Sequence, residues 1–185
     1  DWDEKQYQRG TSFKSRLAYA LDRAKKIGAG SSRVAVTIEY QGRPTVLKIA
    51  KNTRGLGQNG AEASILSDGY ASQMGILIPL IDYDRQNREP TWIQTELAQR
   101  ASQKQLCAIM KCDNLAQLLA MARAIKGVGK YQQNYADFVK SHLTHKSEQD
   151  IETMTEYADK LADLDSQFNV LIGDLSRGKL GYLSR

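Results

Sequence analysis

Cysteine is scarce in this chain. Cys107 and Cys112 are the only two, too few for a disulfide framework, so a reducing compartment is expected. No apolar run approaches the roughly 18 residues of a membrane-spanning helix. No cleavable signal pattern precedes Trp2, and the expected location is the cytoplasm. Acids and bases are interleaved rather than segregated, and there are neither internal repeats nor low-complexity segments. Organisation must therefore be read from hydrophobic periodicity.

The 185 residues suffice for one large domain or two small lobes. Hydrophobic content of 41% with 25% charged residues is ordinary for a globular protein, and the net charge of +5 is a mild bias towards anionic partners, nucleic acid or nucleotide included. From Phe13 to Lys26, apolar residues at Phe13, Leu17, Leu21 and Ala24 predict an amphipathic helix. "GAGSS" ends it. "RVAVTIEYQGRPTVLKIAKN", Arg33 to Asn52, then alternates twice around Gly42 and Pro44 and predicts an antiparallel hairpin. "NTRGLGQNG" reads as a loop, Ala61 to Met74 as a helix ended by Gly75, and "ILIPLIDYD" and "TWIQTELA" as two more strands across the polar turn "RQNREP".

After Ala101 the character becomes helical. Leu115, Leu118, Leu119, Met121 and Ala122 mark one helix, Tyr135 to Leu143 a second, and Ser147 opens a third, with Asp150 at capping-box spacing. Ile151, Met154, Ala158 and Leu161 give that third helix its buried stripe, and "FNVLIGD" follows as a short strand running into a turn. A mostly β half followed by a mostly α half predicts two lobes joined near Ala98 to Ser102. The division is an N-terminal helix over 1–27, a β-rich lobe over 28–101 and a helical lobe over 102–185.

Lys48 interrupts the second hairpin strand and shares a face with Val46 and Ala50. A lone strand lysine ordinarily lies at a sheet edge, its stem packed and its amine in water. Here it has company. Gly28 and Gly30 precede the first strand, where backbone amides approach phosphates closely. Glu62 lies near the start of the following helix, and Glu96 ends the second strand pair at the expected lobe junction, a position from which a chain edge could meet a bound ring. In nucleotide sites such a lysine grips phosphate oxygens while the glutamate orients it.

At these residues the chain resembles the protein-kinase-like superfamily, more closely the small divergent kinases of tailed bacteriophages. "GAGSSRVAV" matches the glycine-rich loop, "TVLKIAKN" the lysine strand, "QNGAEASIL" the start of the αC-like helix, and "ILIPLIDYD" with "PTWIQTELA" the strands leading to the hinge. The resemblance spans most of Ile27 to Ala101 and resumes at the C-terminus. It implies a bilobal α+β fold with a β-rich N-lobe and a helical, truncated C-lobe. It also implies ATP with magnesium as cofactors and phosphoryl transfer to a protein or small-molecule hydroxyl. Lys48 would bind phosphates with Gly28 and Gly30, Glu62 would pair with Lys48, and the Glu96 to Ala98 backbone would meet the adenine. A phage origin would place it in the host cytoplasm.

Two departures qualify this. Arg33 stands where the loop pattern has its third glycine, so the loop would present a positive charge. "VLIGDLSRGKLGYLS" admits two alignments. In the first, favoured one, Asp174 is the catalytic-loop aspartate that accepts the substrate proton, the magnesium-ligating asparagine position falls on Lys179, and the metal-binding aspartate lies beyond Arg185. In the second, Asp174 is itself the metal-binding aspartate, with Asp165 and Asn169 as the catalytic loop, an interval too short for the strand hairpin that normally intervenes. The departures leave open a second class of function, a catalytically inactive kinase-like protein that binds or inhibits a host partner.

Other candidates are weaker. His142 and His145 are three apart, but neither they nor Cys107 and Cys112 have a convincing zinc spacing, and no serine or cysteine stands at triad spacing to either histidine. Lys14, Arg16, Arg23, Lys25 and Lys26 make a basic helix face whose default is solvation, so nucleic acid is not the expected partner, and no membrane is. Trp92 and Tyr83 are expected to pack the strand pair.

Overall fold

The computed structural model describes residues 2–10, 12–127, 134–168 and 181–182. Mixed α and β structure divides into two compact units, Asp1–Ala98 and Gln99–Ser184.

The first unit is built on a five-stranded antiparallel sheet in the order β1-β2-β3-β5-β4. The strands are β1 (Lys25–Ala29), β2 (Arg33–Tyr40), β3 (Arg43–Ala50), β4 (Leu80–Tyr83) and β5 (Trp92–Glu96). The expected hairpin is β2–β3. Its two-residue turn places Gln41 at φ 51° and Gly42 at φ 72°, the doubly left-handed geometry whose twist matches the flanking strands. Register puts Val34 opposite Ile49, Val36 opposite Leu47 and Ile38 opposite Thr45. Those residues therefore share one face. Val36, Ile38, Leu47 and Ile49 are buried there with Tyr7 of α1 (Glu4–Gln8) and Ala20 of α2 (Phe13–Arg23). The opposite face carries Arg33, Ala35, Lys48 and Ala50.

Two elements differ from the sequence expectation. The first helix does not reach Lys26: α2 ends at Arg23, Ala24 turns extended at φ −83°, ψ 150°, and Lys25–Ala29 pairs with β2. Pairing with a distant strand outweighs the local helical pattern, and exposed Lys25 and Lys26 protect the new sheet edge. The basic residues thus do not form one helix face, and Arg16 is half-buried. The second difference is "NTRGLGQNG", which is no loop. It forms the start of α3 (Thr53–Ser67), capped by Asn52, whose side chain accepts the Gly55 amide at 3.1 Å. Gly55 is required by proximity, because a Cβ there would stand 2.1 Å from the Ser32 carbonyl oxygen. Asp68 then breaks the helix and caps α4 (Gly69–Gln73).

The second unit contains α5 (Gln103–Met110), α6 (Leu115–Lys126), α7 (Tyr135–His142) and α8 (Glu148–Phe168). Leu118, Met121, Leu143, Met154 and Ala158 are among its fully buried residues, which places the expected stripes of α6 and α8 in one core. The Ser147 hydroxyl accepts the Asp150 amide at 3.1 Å, starting α8 where the sequence predicts. Two short strands, β6 (Gln99–Arg100) and β7 (Gly181–Tyr182), pair antiparallel.

Candidate functional site

β3 is the middle strand of its sheet, so Lys48 is not an edge lysine. It stands between Ala35 of β2 and Ile93 of β5, with 22% of its side chain exposed. A cation so placed needs a partner, and the partner is Glu62: Lys48 Nζ donates to Glu62 Oε1 in a close ion pair. Because α3 begins well before Ala61, Glu62 sits in mid-helix, where its position is fixed by helical neighbours on both sides.

Arg33, the charge expected in place of the loop's third glycine, is directed inward. Register sets it opposite Ala50, two residues along from the Ala35–Lys48 pair on the same face. From there Nη1 donates to Glu62 Oε2 at 2.6 Å and to Asn59 Oδ1 at 3.2 Å. Asn59, one helical turn before Glu62, is fully buried and donates from Nδ2 to the Pro90 carbonyl at 3.0 Å. Burial alone would raise the Glu62 pKa. The charge and hydrogen bond of Lys48, joined by those of Arg33, overcome it and hold the carboxyl below its ordinary value.

The turn before β2 is held by its carbonyls. Lys51 Nζ donates to Gly30 O at 3.0 Å, Asn52 Nδ2 to Ser31 O at 3.0 Å, and the Lys51 amide to Ser32 O at 2.8 Å. Ser32 Oγ adds a bond to Gln58 Oε1 at 2.8 Å. Gly28 is an exposed residue of β1 and Gly30 opens the turn. Among the described residues a Cβ at Gly28 would meet nothing within 4 Å, and one at Gly30 only the Arg33 carbonyl at 3.9 Å. Packing within the protein thus explains Gly55 and does not explain Gly28 or Gly30.

Glu96 closes β5, its amide donating to Pro79 O at 3.1 Å and its carboxylate facing Arg43 Nη1 at 3.4 Å. Ala98 follows at the end of the first unit. The structure brings Lys48 and Glu62 together and sets the Gly30 turn beside the start of their helix. Asp174, Asn169 and Lys179 lie outside the described residues. Asp165 is paired with Lys126, joining α8 to α6.

The remaining candidates have structural partners. Cys107 and Cys112 are buried free thiols; burial first, then Cys107, pushes the Cys112 thiol up to about 12, far from a nucleophile's range. Cys112 lies beyond α5, whose cap is Lys111. His142 stacks on Phe138 at 4.8 Å, and His145, in the turn after α7, meets Asp113 at 2.9 Å. Trp92 packs against the sheet core, while Tyr83 lies under the Arg85 guanidinium at 4.6 Å.

Sequence reasoning missed Asn59, Asp84 and the inward direction of Arg33. Asp84 is buried and accepts from Thr91 Oγ1 at 2.7 Å, Asn87 Nδ2 at 2.8 Å, and the amides of Gln86 and Thr91 at 3.0 and 3.1 Å. Its signal was readable, since an aspartate opening a polar turn commonly bonds the backbone two residues on. Asn59 carries no such local mark.

No protein-family model and no curated protein matches the chain. Among solved structures it is similar to the aminoglycoside phosphotransferase APH(4)-Ia, with 15% identity, a TM-score of 0.32, and coverage of 71% of this chain and 39% of that one. A thermostable mutant of the same phosphotransferase, in a ternary complex with AMP-PNP and hygromycin B, aligns at 12% identity with a TM-score of 0.32, covering 75% of this chain and 38% of that one. The chain therefore spans less than two-fifths of the length of either structure.

Proposed function

We propose that the first unit is a nucleotide-binding, protein-kinase-like module and that the protein in its complete form transfers the γ-phosphoryl group of ATP to a protein or small-molecule hydroxyl. The observation that carries this is the Lys48–Glu62 ion pair, a central-strand lysine held by a helix glutamate. Lys48 supplies positive charge to phosphate oxygens and Glu62 fixes its ammonium. Gly28 and Gly30, whose missing side chains packing among the described residues does not require, leave room for close approach of phosphate. The Glu96 to Ala98 backbone receives the adenine edge.

In the transfer step the bond from the γ-phosphorus to its bridging oxygen breaks, a bond from the acceptor oxygen forms, and Asp174 takes the hydroxyl proton. Magnesium would neutralise phosphate charge. Among the described residues no group of three or more His, Cys, Asp or Glu side chains converges on a metal position. The likeness to phage kinases rests on sequence motifs alone.

Calorimetric titration of ATP, with and without magnesium, into this chain and its Lys48→Met variant tests the reading. Binding that Lys48→Met abolishes is expected. Equal binding by both, or none by either, would sink it.

A second reading is favoured by one observation. Arg33 stands in place of a loop glycine and shares the Glu62 carboxylate with Lys48, a departure that suits a kinase-like protein that binds a host partner without catalysis. Stoichiometric recovery of one host protein, with ATP binding absent, would favour it.

A further inference from the structure

The Lys48–Glu62–Arg33 cluster has one more cation than it has acids. Lys48 and Arg33 occupy the two oxygens of a single carboxylate, and among the described residues neither has a second acidic partner. Their side chains are 22% and 26% exposed, so water compensates the excess only in part. Arg33 uses Nη1 for both Glu62 and Asn59. Of the five N–H donors of a guanidinium, those on Nε and Nη2 have no protein acceptor among the described residues. Lys48 likewise commits one donor to Glu62 and retains others. The two cations are diagonal neighbours on one face of β2 and β3. They are held on one carboxylate, within reach of a single polyphosphate.

We propose that Arg33 is a second phosphate-binding side chain, which with Lys48 forms a two-cation receptor for a polyphosphate. The loop thereby exchanges backbone donors for a side-chain fork. Glu62 sets the spacing between the two cations, and an arriving phosphate supplies the missing negative charge. Bidentate geometry suits the guanidinium to this role better than a lysine at the same place. That the polyphosphate belongs to a nucleotide rests on the reading above; the receptor itself does not.

The test is calorimetry at low salt with inorganic tripolyphosphate, ATP and AMP, on the wild-type chain and on Arg33→Ala, Arg33→Lys and Lys48→Met. Tripolyphosphate and ATP should each bind about tenfold more weakly to Arg33→Ala, the scale of one charge-assisted hydrogen bond. Arg33→Lys should recover part of the loss. AMP should bind Arg33→Ala and wild type alike, which a general loosening of α3 would not produce. Should Arg33→Ala fail to fold, the Arg33 side-chain Nε–H resonance of the wild-type protein serves instead, and it should shift on tripolyphosphate addition.

No binding of tripolyphosphate by the wild type, binding unaffected by Arg33→Ala, or an unmoved Nε–H resonance at saturation would each overturn the proposal. ATP binding that depends on Lys48 alone would do the same while leaving the nucleotide reading standing. Arg33-dependent binding of tripolyphosphate with no added affinity for ATP would support the receptor and defeat the nucleotide reading.

Discussion

Arg33 holds the oxygen of Glu62 that Lys48 leaves free, so that one helix carboxylate joins the first and second strands of the hairpin. The arrangement makes Glu62 a stabilising residue whatever its ligand role. Glu62→Gln would leave two partly buried cations without a counter-charge, and we expect a loss of about 1–3 kcal/mol, the cost of a buried polar group left without its partner. Solvent at the partly exposed cations keeps it from the larger cost of a fully buried charge. Lys48→Met should cost less, because Glu62 keeps Arg33. The Glu62 pKa is lowered in the folded state. Its contribution is therefore complete above the unfolded value of roughly 4.3 and fades as pH falls through the depressed native one. Urea unfolding at pH 7 and pH 3 should show the gap between wild type and Glu62→Gln narrowing in acid. A gap that stays constant would contradict the assignment.

Gly55 and Gly57 lie two residues apart in α3 and should respond oppositely to alanine. At Gly55 the added Cβ would stand 2.1 Å from the Ser32 carbonyl and 3.1 Å from Ala50 Cα, both backbone atoms that cannot swing aside. At Gly57 it would meet nothing within 4 Å. Gly57→Ala should therefore stabilise by the helix-propensity difference, about 1 kcal/mol. Gly55→Ala should destabilise by more than that and loosen the Gly30 turn. Thermal unfolding of the two single variants decides it, and a rise in Tm for Gly55→Ala would contradict the close approach.

That pair of glycines also shows what the sequence could and could not reveal. Alternation is a local signal, so the β2–β3 hairpin and the anomaly of Lys48 were legible, as were the apolar stripes of α6 and α8. Glu62 could be named as the partner, though its helix began too late in the reading. A glycine that admits a neighbouring carbonyl looks in sequence like a glycine that breaks a helix, because the difference lies in Ser32, far away along the chain. Lys25 and Lys26 continue the helical pattern of α2 and enter a strand only because β2 offers an unpaired edge. Arg33 was marked as a departure from the loop pattern. Its turn towards Asn59 and Glu62 required the register of β2 on β3.

Asp113 offers a titration that reports on the second unit alone. Its carboxylate accepts from Lys146 Nζ at 2.7 Å, Gln117 Nε2 at 2.8 Å and His145 Nε2 at 2.9 Å. The Lys146 hydrogen bond is the chief cause that holds its pKa down to about 2. A depressed carboxyl stabilises the folded state above the unfolded value of roughly 3.9, and that stability is lost as pH falls towards 2. With 43% of its side chain exposed, solvent screening keeps the energetic effect small. The titration midpoint is therefore a better readout than Tm. Carbon-13 NMR of the Asp113 carboxyl should place the midpoint near 2 in the wild type. In Lys146→Met it should move up towards the ordinary aspartate value. A wild-type midpoint near 4 would mean that Lys146 and Asp113 do not pair in solution.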